Sequence, residues 1–384
     1  PSENFVSNEK TYQYVIPTLQ RTLTPGGVYL GVGPEQNFTY LVNLKPRMAV
    51  IVDIRRQNAM THLMYKALFE LAPTRADFLS RLFSRPISPS SPRATDAAAS
   101  ELFAALSAAP PSNSAFATNW KAIVDRLVVS HHFALSDDDL ESMQHVFRAF
   151  FEAGPDISYA YHIGSPPSPT QWLVTFAQIQ TLTNAEGANM AFLATEENYR
   201  WLRALERRNM VIPVVGDFGG PNAIRAVGAY LRAHGAVVTA FYVSNVEQYL
   251  FNGFGADQRF YSSVATLPLD STSTFIRSLP GGNPVIVPFA QLSSTPGLTS
   301  VRLSVQDSSG MRIITTTGVD SGGTVVTSRI VAAQPTPTVA STSAFVSGIA
   351  GIRGTLDAFT NGRLTTYRQV SDMTKTDGWS DPRR

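Results

Sequence analysis

Three sets of residues in this 384-residue chain have types and spacings that could do chemistry. The first lies in residues 28–58 (VYLGVGPEQNFTYLVNLKPRMAVIVDIRRQN), where an apolar run ends at Gly31-Val32-Gly33-Pro34 and a second ends on Asp53. Glycines at a strand end let the backbone approach a ligand, and an acid about twenty residues further on can accept hydrogen bonds from ribose hydroxyls. The second set is Asp217 with Gly219-Gly220. Amides at the start of the helix that follows would attract an anion or carboxylate, or Asp217 simply caps that helix. The third is Asn245, Glu247 and Tyr249, just past the apolar run 236–243. There Asn245 could position an acceptor amine or hydroxyl and Glu247 or Tyr249 could act as base. The plainer alternative is a helix start capped by Ser244 or Asn245.

Histidines add less. His131-His132 precede Asp137-Asp138-Asp139, with His145 and His162 further on. Adjacent histidines point in different directions, and no pair has the spacing of a ligand set, so no metal is expected. The aspartates suit a helix N-terminus instead. No G-x-S-x-G, Walker A or H-E-x-x-H motif occurs.

The elements that must position these residues read as follows. Residues 8–23 predict a helix that Pro17 bends or divides. Residues 28–31 and 48–53 predict strands, the second apolar throughout, as in a parallel sheet buried on both faces. Helical spacing then dominates, over 58–71, 75–83, 95–106, 120–129 and 136–152. Ser136 and Asp139 form a capping arrangement at the last of these. A second α/β block has helices at 169–182 and 195–208, a short strand at 191–193, a strand at 211–216, a helix at 222–234 opened by Pro221, and a strand at 236–243. Short strands are expected at 264–269, 274–276, 285–289, 299–305, 311–317 and 324–332. A linker follows at 334–342, then a helix at 345–359.

The expected fold class is α/β, a Rossmann-like, doubly wound, mostly parallel sheet with a large helical insertion and a β-rich C-terminal extension. The expected divisions are 1–54 (first βαβ unit), 55–165 (helical insertion), 166–283 (second α/β half), 284–343 (β-rich extension) and 344–384 (C-terminal helix and polar tail).

The glycine turn resembles the first motif of class I S-adenosylmethionine-dependent methyltransferases. The wider chain resembles a largely uncharacterised bacterial family with a methyltransferase-like core, through Ser7-Asn8-Glu9, GVGPEQNFTYL, AVIVDIRRQN, VVGDFGG and TAFYVSNVEQYLF. These stretches and the helices between them cover about half the chain. The resemblance implies S-adenosylmethionine as cofactor, with Gly31 and Gly33 beneath it and Asp53 on its ribose. Three positions depart from the pattern. Tyr29 stands where such enzymes usually carry an acid, and Glu35 replaces a small residue, facing the place of the methionine part. Gln36 fills the last position of G-x-G-x-x-G, which weakens a nicotinamide reading although Arg55 and Arg56 beside Asp53 could favour a phosphorylated ribose.

Composition bounds the partners. A formal charge of +2 argues against a dedicated nucleic-acid binder, and no apolar run is long enough to span a bilayer. Cysteine is absent, which excludes disulfides and thiolate chemistry. Pro1 at the first position is compatible with a precursor that has lost a leader, so the compartment stays open. The polar tail 365–384 would be disordered alone and invites a holding partner. Two functions follow: a methyltransferase-like protein binding S-adenosylmethionine or a related nucleotide, with intact or degenerate activity, or a non-catalytic accessory subunit docked on a larger complex, such as a respiratory or photosynthetic one.

Overall fold

The computed structural model describes residues 4–86, 96–164, 174–280, 300–308, 311–319, 325–333 and 345–376. These fall into two compact units, one drawn from 1–279 and 345–384, the other from 280–344.

The larger unit is built on a six-stranded, mostly parallel sheet. Its strands are β1 (Val28–Gly31), β2 (Met48–Asp53), β3 (Val211–Val215), β4 (Val238–Ser244), β5 (Leu269–Pro280) and β9 (Phe345–Gly351), in the order β3-β2-β1-β4-β5-β9. β1 pairs in parallel with β2 and with β4, β2 with β3, and β4 with β5. β1 and β2 are buried at every position, which is why their sequences lack the polar alternation of a half-exposed strand. The order steps outward from β1 to β3 and then jumps back to β4. With right-handed crossovers, the helices of the two halves must lie on opposite faces.

The first half carries α2 (Gln36–Leu44), α3 (Arg56–Leu71) and the helices up to α9 (Glu196–Arg207). Phe38 of α2 anchors this layer, meeting Tyr65, Phe69 and Phe192 edge to face at 5.2–5.4 Å. Such contacts add to the area that the rings bury. Beyond α3 lie α4 (Arg75–Phe83), α5 (Ala99–Ala108), α6 (Asn113–Val124) and α7 (Asp137–Ala153). Ser136 caps α7, its Oγ accepting from the Asp139 amide at 3.2 Å while Asp139 Oδ2 accepts from the Ser136 amide at 3.1 Å. The second half carries α10 (Ala223–Ala233), α11 (Val246–Leu250) and α12 (Ala256–Val264).

Several expectations need correction. The first helix, α1, spans only Ile16–Thr22, because Pro17 fits a first turn and not an interior. Residues 191–193 form a turn rather than a strand; the Phe192 amide donates to Thr39 Oγ1 at 3.2 Å. The helix expected over 120–129 changes at Asp125 into a π-helical turn, Asp125–Ser130. Residues 264–268 do not form a strand, since Val264 closes α12; β5 begins only at Leu269 and runs unbroken through 274–276. Residues 345–351, expected as helix, form β9, followed by the helix Ile352–Thr360. The mix of apolar and small residues in FVSGIAG fits either period, and pairing along β5 decides it. Lys375 closes a bridge to Ile349 of β9, with both backbone hydrogen bonds at 2.8 Å. The strand expected at 285–289, the linker 334–342 and the last residues of the tail lie outside the described residues.

The smaller unit contains an antiparallel three-stranded sheet of β6 (Ser300–Ser308), β7 (Met311–Val319) and β8 (Val325–Ala333), with Ser308 opposite Met311 and Val319 opposite Val325.

Candidate functional site

A cavity of about 440 Å³ opens beyond the carboxyl ends of the parallel strands, lined from the ends of β1 through β5 and by residues 4 and 6–9. It lies at the junction of β1 and β4, where the strand order reverses, the switch point at which open α/β sheets place their ligands.

Its floor is the turn after β1. Gly33 takes φ +76°, which favours glycine, and a Cβ built there would meet nothing within 4 Å. Asn37 holds the turn, its Nδ2 donating to the carbonyls of Val32, Gly33 and Pro34 at 2.9, 3.2 and 2.7 Å. Tyr29 donates to Asn37 Oδ1 at 2.9 Å. The tyrosine in place of the expected acid thus braces the turn from beneath. His62 of α3 adds a hydrogen bond to the Gly33 carbonyl at 2.9 Å. Burial lowers its pKa, so the neutral ring donates through Nε2–H.

Gly31 is set into the packing and does not line the cavity. A Cβ there would run into Asn37 Oδ1 and lie 2.7 Å from the Tyr29 ring. Glu35 also lies off the cavity wall and is fully buried, not facing a ligand as its position suggested. Its Oε1 accepts from the Ser7 amide at 3.1 Å, while Oε2 has no hydrogen-bond partner among the described residues. Burial pushes its pKa up to about 7, opposed by the Ser7 amide.

Asp53 stands on the wall, buried at the end of β2. Its Oδ1 accepts from the Arg55 amide at 2.8 Å, and the Arg55 guanidinium lies 3.3 Å from both oxygens. Asp217 reaches the same cavity from the loop after β3, where Oδ1 accepts from the Gly219 amide at 2.8 Å. It closes a local turn and does not cap α10 directly.

The β4 end supplies Ser244, Asn245 and Tyr249. Ser244 sits at φ +49°, a costly backbone for a residue with a Cβ, and donates its hydroxyl to Glu9 at 2.6 Å. Asn245 occupies the N-cap of α11 without a side-chain cap bond, and Tyr249 is 67% exposed at the mouth. Glu247 points elsewhere. Its carboxylate forms a buried, two-pronged pair with Arg277 of β5 at 2.6 and 2.8 Å and accepts from Tyr261 at 2.6 Å. Val246, one residue past Asn245, lines the cavity, and Glu247, the next residue, faces the core, so spacing alone could not separate them.

A third carboxylate on the cavity wall, beside Asp53 and Asp217, is Glu9, on the irregular segment before α1. It accepts from Tyr242 at 2.7 Å, Ser244 at 2.6 Å and Gln36 at 2.8 Å. Ser7 donates to Gln36 Oε1, which ties the same segment to α2. The stretch Ser7-Asn8-Glu9 was visible only as part of a resemblance. Gly33, Asp53, Asp217, Asn245 and Tyr249 therefore share one cavity with Glu9, whereas Gly31, Glu35 and Glu247 serve the packing around it. His131 lies away from the cavity wall, its Nε2 2.7 Å from Glu70 Oε2.

Among solved structures, the chain is similar to the CcbJ methyltransferase from Streptomyces caelestis, at 12% identity over 37% of this chain and 55% of that one, about half its length, with a TM-score of 0.15. A likeness of that size carries no argument here. No curated protein matches the sequence. The family described as "Domain of unknown function (DUF7790)" matches residues 4–88 and 95–310, well over half of the sequence, and the chain belongs to that family.

Proposed function

We propose that this chain is a methyltransferase-like protein that binds S-adenosylmethionine, or a related nucleoside, in the cavity beyond β1 and β4. One observation carries the reading: Gly33 and Asp53, at the ends of neighbouring parallel strands, line the same cavity at the switch point. Its volume falls within the range of small-molecule sites, roughly 300–1,000 Å³. The open turn at Gly33 would let the backbone pass under the ligand, and Asp53 would take the ribose hydroxyls. Asn245 and Tyr249 at the mouth would face an acceptor amine or hydroxyl, Tyr249 as base. Methyl transfer depends mainly on alignment, so few further side chains are needed. Calorimetry on the purified chain is expected to give micromolar binding of S-adenosylmethionine or its demethylated product, lost in Asp53→Ala. Absence of heat with either compound would sink the reading.

A second reading, a non-catalytic accessory subunit with the same fold, draws support from Arg55, which already engages both oxygens of Asp53. It requires folded protein that binds neither compound, and loss of co-purifying chains when residues 377–384 are deleted, with an unchanged melting temperature.

A further inference from the structure

We infer that this cavity is built for an onium cation, a sulfonium or quaternary ammonium group, with Glu9 as its counter-ion. The inference deepens the reading above by naming the ligand's charge, and it rests on that reading only for the nucleoside part.

Charge is the first argument. The acids on the cavity wall are Glu9, Asp53 and Asp217, and Arg55 is the one basic residue among the described lining. Arg55 is bound to Asp53. Among the described residues Glu9 receives side-chain hydrogen bonds only from neutral groups, Tyr242, Ser244 and Gln36. No lysine, arginine or histidine among the described residues forms an ion pair with it, although it is 3% exposed. A carboxylate withdrawn from water without a cation is costly, and a bound cation relieves that cost.

Shape is the second. Tyr159, Phe218, Tyr242, Tyr249 and Phe345 also line the cavity. Aromatic faces with a nearby carboxylate attract cations that are too poorly hydrated to prefer water, which describes sulfonium and alkylated ammonium groups. An anionic ligand such as a phosphorylated nucleotide would find aromatic rings, unmatched acids and one occupied arginine.

The test uses charge isosteres on the full chain. S-adenosylmethionine carries a sulfonium where S-adenosylhomocysteine has a neutral thioether. Choline carries a quaternary nitrogen where 3,3-dimethylbutanol has a neutral carbon. Calorimetry should show S-adenosylmethionine binding about tenfold or more tightly than S-adenosylhomocysteine. That ratio should shrink toward one in Glu9→Gln and fall in Tyr249→Leu, whose exposed ring is not needed for folding. Equal affinities for the two nucleosides, unchanged in both variants, would overturn the inference and leave the proposed function standing. If neither nucleoside binds, the proposed function fails and thermal shift decides the inference. Stabilisation by millimolar choline and not by 3,3-dimethylbutanol, abolished in Glu9→Gln, upholds it; equal or absent shifts end it.

Discussion

Tyr242 donates its hydroxyl to Glu9 across 2.7 Å, although 233 residues separate them in sequence. The bond joins the irregular N-terminal segment to the middle of the sheet and sits on the cavity wall. Tyr242→Phe keeps the ring and removes one donor from a buried carboxylate. It should lower stability by about 1.5–3 kcal/mol, read as a lower urea midpoint with an unchanged slope.

Among the described residues Glu247 and Arg277 form the tightest fully buried ion pair, at 2.6 Å with each side chain 1% exposed. Glu247→Ala alone should cost about 3–5 kcal/mol, because it strands the guanidinium. Replacing both by Leu and Met should cost clearly less than the single change. Equal losses in the single and double variants, by chemical denaturation, would contradict the account.

Glu35 predicts a pH dependence. Its folded pKa lies near 7 against an ordinary value of 4.5, so the native state binds the proton more tightly than the unfolded chain does. Stability should therefore fall as pH rises from about 4.5 to about 7 and then level off. Glu206, pushed up to about 8 by burial, pulls the same way. Glu35→Gln should flatten its share, on the order of 3 kcal/mol across that window. Denaturation midpoints at pH 5 and pH 7.5 for both proteins check the sign.

Gly31→Ala places a methyl group against Asn37 and the Tyr29 ring. Overpacking there should cost about 1–3 kcal/mol and loosen the turn that Asn37 holds. Gly33→Ala meets no atom within 4 Å and pays only for its positive φ, so it should be milder. The order of the two melting temperatures tests the assignment.

Arg55→Ala should free Asp53. If ribose hydroxyls compete with the guanidinium for that carboxylate, removing the arginine should tighten S-adenosylmethionine binding several-fold. Weaker binding in this variant, by calorimetry, would show that Arg55 holds the ligand instead.

The sheet was legible because its inner strands are buried on both faces, so β1, β2 and β4 stand out as unbroken apolar runs. The turn at Gly33 and the acid at Asp53 were legible for the same reason, being punctuation on those runs. Other features were decided by contacts distant in sequence. Glu9 lies in no regular element, and only Tyr242, Ser244 and Gln36 give it a place. Glu247 reads locally as a residue just past a strand end, yet Arg277 and Tyr261 draw it inward. Residues 345–351 mix apolar and small side chains that fit either period, and the neighbouring β5 makes them a strand.

Pro213 lies in the middle of β3, the edge strand on that side of the sheet, opposite Ile51. Proline offers no amide, so the border that β3 presents lacks one rung of its ladder. Val215 on the same strand is 43% exposed and apolar, the kind of residue that recruits stray strands. A border with a missing donor makes a poor template, and it guards this protein against edge-to-edge aggregation.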